Sequence, residues 1–222
     1  MPKQLKGNIC VDTKKFNPEI DPMRSIIFTL LILYLTINDT IAQVPAKAED
    51  ISPLLISEKI PDVGLKTIEG ESITLTDILR EKRSVLMFYR GGWCPYCNAH
   101  LSAVGEIEED ILALNYQVIA ISPDSPGKLK TTTEKQSLNY GLYSDASGAL
   151  ITAMGIAFKA PDRYENRLGN YSDGQNPGIL PVPSLFVVDT NGTILFEYIN
   201  PDYKQRISAD LLLAVLKNQN SD

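Results

Sequence analysis

Apolar positions follow two rhythms along this chain, and the two alternate. Continuous apolar runs at Ser84 to Tyr89 (SVLMFY), Tyr116 to Ser122 (YQVIAIS) and Ser184 to Asp189 (SLFVVD) predict strands covered on both faces. Between the first two, Leu101, Val104, Ile107, Ile111, Leu112 and Leu114 recur at helical spacing and predict one helix from Pro95 to Asn115. Glu106, Glu108, Glu109 and Asp110 form its solvated face. A more polar helix opens at Ser125-Pro126 and runs toward Asn139, Leu142-Tyr143-Ser144 is a short strand, and Ser147 to Met154 is another helix. Near the start, turn signals at Pro61-Asp62, Gly64 and Glu69-Gly70 precede the alternating Ser72-Ile73-Thr74-Leu75 and predict a hairpin within Glu58 to Leu75. Thr76 or Asp77 is placed to cap a short helix through Leu79-Arg80. Asn191-Gly192 marks a tight turn that returns Thr193 to Tyr198 as a partner strand. Ile207, Leu211, Leu212, Val215 and Leu216 give an amphipathic closing helix over Asp202 to Leu216. Phe158 to Pro181, rich in Gly, Asn, Asp and Tyr, has no period and reads as a long loop. The class is α/β, a central mixed β-sheet flanked by helices with an N-terminal hairpin.

Upstream lies a different kind of sequence. Ile26 to Ile37 (IIFTLLILYLTI) is a short apolar core with Arg24 before it and the small-residue site Thr40-Ile41-Ala42 after it. That is the pattern of a secretory signal peptide cleaved after Ala42, and Met23 suits the true start. The run falls short of the roughly 20 apolar residues that span a bilayer. The expected organisation is a pre-sequence over 1–42, a flexible lead-in over 43–54 and one domain over 55–222, exported to a periplasm or secreted. A membrane is met only through an uncleaved leader.

Composition narrows the partners. The 222 residues are 44% hydrophobic and 22% charged, as in an ordinary globular protein, and the net charge of −6 shows no basic footprint for nucleic acid. Residues 1–42 hold five cations against four carboxylates, so their removal leaves −7. Cys10 leaves with them. Cys94 and Cys97 are then the only thiols, able to pair with each other, a partner or a substrate.

Their setting carries the chemistry. A strand-like run ends in Gly91-Gly92, and Trp93-Cys94-Pro95-Tyr96-Cys97 follows at what should be the first turn of a helix. Backbone N–H groups and the positive end of the helix dipole stabilise a thiolate there, the form that attacks disulfides and peroxides. Pro95 suits the first helical position, where its missing N–H has no partner to lose. Trp93 can shield one side of the sulfur and give a partner an apolar surface. A purely structural disulfide between the two would close a four-residue loop, worth only about 2 kcal/mol in chain entropy against about 4.7 for a hundred-residue loop. A zinc site from Cys94, Cys97 and His100 lacks a fourth nitrogen or sulfur ligand, since the chain has one His. A dithiol–disulfide cycle fits the spacing better than either.

From about Ile60 onward the chain resembles the thioredoxin superfamily, most closely its peroxiredoxin-like (AhpC/TSA) branch. The likeness lies in FYRGGWCPYC (Phe88 to Cys97), AISPDSP (Ala120 to Pro126), YGLYSDASGAL (Tyr140 to Leu150) and VPSLFVVDTNG (Val182 to Gly192). It implies a thioredoxin-like fold, no cofactor, a hydroperoxide substrate and an external dithiol reductant such as a thioredoxin-like protein. Laid on the family motif Pro-x-x-x-Thr/Ser-x-x-Cys, Cys97 takes the peroxidatic position, Cys94 the Thr/Ser position and Arg90 the Pro position. The family's Arg before the SLFVVD strand is replaced by Pro183. Thioredoxins, by contrast, carry a cis proline where Val182-Pro183 stands and a buried carboxylate where Phe88 stands. The resemblance therefore implies two chemistries. In one, Cys97 attacks a peroxide, Cys94 resolves the sulfenate and Arg90 supplies part of the missing guanidinium. In the other, Cys94 attacks a protein disulfide, Cys97 resolves and His100 relays a proton. Metal binding by Cys94, Cys97 and His100 is a third reading.

Overall fold

The computed structural model describes residues 44–219, and the leader read over 1–42 lies outside them. The described chain forms β1 (Gly64–Lys66), β2 (Ser72–Thr74), α1 (Leu75–Leu79), β3 (Arg83–Phe88), α2 (Pro95–Gly105), α3 (Glu108–Ala113), β4 (Tyr116–Ser122) and α4 (Pro126–Gln136). There follow β5 (Gly141–Ser144), α5 (Ala149–Ala153), β6 (Ala157–Lys159), α6 (Glu165–Tyr171), β7 (Ile179–Pro181), β8 (Ser184–Val188), β9 (Ile194–Ile199) and α7 (Ala209–Gln219). Seven strands make one sheet in the order β2-β1-β5-β4-β3-β8-β9. Its centre, β3 with β4 and β4 with β5, is parallel, and β8, β9 and the β1-β2 hairpin are antiparallel to their neighbours. The fold is the mixed-sheet α/β architecture expected from the sequence.

The continuous apolar runs are explained by what covers the sheet. Side chains alternate along a strand, so β3 sends Val85 and Met87 to one face and Leu86 and Phe88 to the other. The first face packs under Leu101, Val104, Ile111, Leu129, Leu212 and Leu216 from α2, α3, α4 and α7. The second packs under Leu75, Leu79, Leu150, Ile151 and Met154. With both faces buried, the polar residues of β3, β4 and β8 are confined to the strand ends: Arg83 and Ser84, Gln117 and Ser122, and Ser184. Truncating a side chain such as Leu86, 0% exposed, to alanine costs about 2–5 kcal/mol.

Several local expectations are corrected. The cap of α1 is Thr74, not Thr76 or Asp77: its Oγ1 accepts the Asp77 N–H at 3.1 Å and donates to the Asp77 carboxylate at 2.7 Å. The helix expected over 95–115 is two, because the Ile107 N–H tightens onto the Val104 carbonyl and the chain turns before α3. The closing helix starts at Ala209 rather than Asp202, capped by Ser208, whose Oγ accepts the Leu211 N–H at 3.2 Å. Residues 44–54 are not a free lead-in. Leu54 donates to the Met154 carbonyl, Pro45 accepts the Lys159 N–H, and Val44, Ile51 and Leu54 pack on the core. The segment 158–181 is also ordered: β6 pairs antiparallel with β7, and α6 between them buries Leu168. Among the described residues no helix is long and apolar enough to cross a membrane.

Candidate active site

The end of β3 delivers the reactive segment. After Phe88 the chain turns through Gly91, whose φ of +138° favours glycine, and an added Cβ there would stand 2.4 Å from Trp93 Nε1 and 2.6 Å from Asp124 Oδ1. Cys94 is the N-cap of α2 and Pro95 opens the helix, as expected. The Asn98 N–H donates to the Cys94 carbonyl at 3.0 Å, and the Asn98 side chain donates to the Gly92 carbonyl at 2.8 Å, holding the turn against the helix. Cys94 and Cys97 are both free thiols, 2% and 1% exposed.

Their electrostatics are unequal. A hydrogen bond from the Cys97 thiol does most to bring the Cys94 thiol down to about 6, against the opposing effect of burial; the Cys97 N–H, Arg90 and Arg206 add to it. Cys97 lies deeper, and burial, its bond to Cys94 and the Cys94 charge push it well above the ordinary thiol range. The pair therefore favours the thiolate on Cys94 and the thiol on Cys97.

Two arginines balance that charge. The Arg90 side chain is 4% exposed, with its guanidinium carbon 4.3 Å from the Tyr203 ring centre, 4.7 Å from Tyr164 and 5.0 Å from Trp93. Arg206 Nη2 donates to Cys97 Sγ at 3.7 Å. Among the described residues neither arginine is paired with a carboxylate. A cleft of about 250 Å³ opens beside Arg90, walled by Phe158, Tyr164, Pro183, Pro201 and Tyr203.

The predicted residues separate on inspection. Cys94, Cys97, Arg90, Trp93 and Pro95 come together, and Trp93, half-buried, stacks on Tyr164 at 5.3 Å. Pro183 joins the cleft, but the cis peptide expected before it is not formed. The Val182 N–H donates to the Ile156 carbonyl and its carbonyl accepts Ser184 Oγ, so a trans link carries the chain directly from β7 into β8. His100 does not join the cysteines in a metal-binding group among the described residues, and burial followed by Arg206 pushes it down to about 4. Phe88 points to the opposite face and meets Phe186 edge-on at 5.8 Å. Sequence reasoning missed Arg206, Tyr164, Tyr203 and Asp124. SPDSP (Ser122 to Pro126) held the one visible signal, an Asp next to a buried strand end.

With that geometry in place, the comparisons are consistent. The sequence pattern of the AhpC/TSA family matches residues 56–196. Peroxiredoxin Bcp of Escherichia coli K12 is 27% identical over 173 residues, covering 78% of this chain and 97% of that protein. Peroxiredoxin bcp1 of Schizosaccharomyces pombe is 33% identical over 112 residues, 50% of this chain and 57% of that one. Among solved structures, Peroxidoxin BcpB from Mycobacterium tuberculosis aligns with a TM-score of 0.59 at 21% identity, over 73% of this chain and 96% of that one. Reduced Prx3 from Vibrio vulnificus in complex with hydrogen peroxide aligns at 0.62 and 16%, over 73% and 99%.

Proposed function

The chain belongs to the AhpC/TSA family, and from that premise we propose that it is a thiol peroxidase of the peroxiredoxin type running on Cys94 and Cys97. The observation that carries this is the placement of two free thiols: Cys94 is the N-cap of α2, Cys97 stands one turn further with Arg206 Nη2 at 3.7 Å, and the surroundings lower the Cys94 thiol to about 6 while burial raises Cys97. The Cys94 thiolate gives an electron pair to the terminal peroxide oxygen, the O–O bond breaks to leave a sulfenic acid, and the departing alkoxide or hydroxide takes a proton from solvent to leave as alcohol or water. Arg90 stabilises the charge that develops on the leaving oxygen, in place of the guanidinium that Pro183 displaces. Cys97 then attacks the Cys94 sulfenic acid, forming the disulfide and releasing water. An external dithiol returns two electrons and two protons. Exchange with a protein disulfide is the second reading. The 2% exposure of Cys94 favours the smaller oxidant in the reduced state.

This assignment reverses the order that the family motif implies, in which Cys97 attacks. Single oxidation by hydrogen peroxide decides it. Cys97→Ser, whose hydroxyl can still donate to the Cys94 sulfur, should form one lasting sulfenic acid within about tenfold of the wild-type rate at pH 7, while Cys94→Ser should react far more slowly, because burial keeps Cys97 protonated. The opposite pattern restores Cys97 as the attacking sulfur. Reaction no faster than free cysteine in both variants, with rapid reduction of a protein disulfide by the wild type, would replace the peroxidase reading by exchange.

Export is part of the proposal. Arg24, the Ile26 to Ile37 core and the Thr40-Ile41-Ala42 site support a leader removed before Gln43, and N-terminal sequencing of exported protein tests it.

A further inference from the structure

The cleft beside Arg90 is built around Cys94 and carries charge that the steps above do not use. The residues on either side of Cys94 stack on its aromatic walls, Trp93 on Tyr164 at 5.3 Å and Tyr96 edge-on to Tyr203 at 5.7 Å. Arg90 is buried in the lining, and its Nε has no hydrogen-bond partner among the described residues. Buried donors are normally paired, so an unpaired guanidinium donor in the wall of a cleft points to an acceptor that a ligand brings. The outer lining is cationic as well. Lys47 and Arg163, both exposed, belong to it, and Arg163 lies over the Tyr164 ring at 4.9 Å while Arg90 lies over the same ring at 4.7 Å. Among the described residues none of the three cations is paired with a carboxylate, and Glu49 is the one carboxylate of the lining. A positive cleft on a chain of net charge −6 favours an anion there over the rest of the surface.

We propose that this cleft selects a compact organic hydroperoxide bearing a carboxylate, which Arg163 holds while the hydroperoxide end lies toward Arg90 and Cys94. The assignment rests on the peroxidase reading. Phe158, Pro183, Pro201 and Tyr203 give the organic body its apolar contacts. A volume of about 250 Å³ is small for a ligand cavity and suits one substituted ring, or a branched group of that size, rather than a long acyl chain. Guanidinium groups already lie over the Tyr164 and Tyr203 rings, so a ligand cation would meet like charge there. Cys94 takes the terminal peroxide oxygen and the O–O bond breaks. The organic oxygen leaves as an alkoxide and takes a proton from solvent. The carboxylate gains and loses nothing.

Arg163 is better placed for this than Lys47. Its planar fork matches a carboxylate with two parallel hydrogen bonds, and the Tyr164 ring already supports it. Lys47 stands two residues from Glu49 on one short turn, where the two charges oppose each other. Because both guanidinium groups lie over one ring, at 4.7 Å and 4.9 Å from its centre, they stand no further apart than the sum of those distances. A benzene ring with a carboxylate at one end and a hydroperoxide at the other bridges such a span.

Cumene hydroperoxide and its para-carboxylate differ in that one charge. For each, kcat/KM with dithiothreitol as reductant is divided by the rate of the same hydroperoxide with free cysteine, which removes intrinsic reactivity. The wild type should favour the carboxylate about three- to tenfold at low ionic strength, as expected for one partly exposed charge-assisted contact, and lose the preference as salt is added. Arg163→Gln should bring the ratio near one and Arg163→Glu below one, with circular dichroism confirming that both variants fold. A wild-type ratio at or below one, or a higher ratio that neither variant moves, overturns the proposal and leaves the peroxidase reading standing. Inhibition of hydrogen peroxide reduction by 4-isopropylbenzoate, without preference for the carboxylate hydroperoxide, would make the cleft an inhibitory anion site and overturn the proposal as well. Reaction with every hydroperoxide no faster than free cysteine overturns the peroxidase reading, and the substrate assignment with it.

Discussion

Arg206 reaches the sulfur of Cys97 at 3.7 Å from a position 109 residues further along the chain. Its charge favours the thiolate on either cysteine, so it lowers Cys94 and offsets part of the burial cost at Cys97. Rapid alkylation of the reduced protein should show a midpoint near 6, the value that Cys94 takes. In Arg206→Gln the midpoint should rise by about one pH unit, the lower end of what an adjacent opposite charge does. A midpoint unmoved by the substitution would mean that Arg206 packs against the site without acting on it.

Arg90 tests a different contribution. Its guanidinium is enclosed by Trp93, Tyr164 and Tyr203 and stands nearer the surface cleft than Arg206. Arg90→Met keeps the apolar stem within the rings and removes the charge. Peroxide oxidation should slow by about tenfold or more, through a higher Cys94 pKa and a less stabilised leaving oxygen. The Tyr164 phenol, held below its ordinary value chiefly by Arg90, should titrate higher in the same variant. Arg90→Lys should restore part of both. Loss of rate without movement of Tyr164 would separate the two effects.

These two arginines also show where the sequence is legible and where it is not. The strands β3, β4 and β8, the N-cap cysteine and Pro95 declare themselves in consecutive residues, because local periodicity and helix-start chemistry are short-range. Arg206 and Asp124 reach the site through topology: one precedes α7 and the other follows β4, and only the folded sheet brings both to α2. The segment 158–181 hid its structure for a related reason. Three-residue strands such as β6 and β7 are too short to show alternation, and α6 buries a single side chain, Leu168. Pro183 failed in another way. A likeness to thioredoxins supplied its cis bond, while the hydrogen bonds of Val182 to Ile156 and Ser184 keep it trans.

The turn before Cys94 should tolerate little change. Gly91 combines a φ of +138° with contacts to Trp93 and Asp124 that leave no room for a methyl group. Gly91→Ala should cost about 1–3 kcal/mol by denaturant unfolding and displace the Asp124 carboxylate. Stability unchanged within about 0.5 kcal/mol would show that the turn relaxes freely.

Asp145 gives a pH dependence that owes nothing to the sulfur chemistry. It is 2% exposed, and its two oxygens accept the Leu150 N–H at 3.1 Å and the Ile151 N–H at 2.9 Å at the start of α5. Burial outweighs those bonds and lifts the carboxyl from 3.8 to about 6. A carboxyl raised in the folded state binds its proton more tightly there than in the unfolded chain. Stability from this group is therefore whole below the unfolded value, and it is lost as pH climbs to the folded one. The loss amounts to at most about 3 kcal/mol. Asp145→Asn keeps an acceptor for one N–H and carries no charge, so it forfeits one hydrogen bond at every pH and escapes the ionisation cost. Its melting temperature relative to wild type should rise between pH 4 and 6 and level off above. A difference that stays flat across that window would mean that Asp145 is ionised throughout, with its hydrogen bonds outweighing its burial.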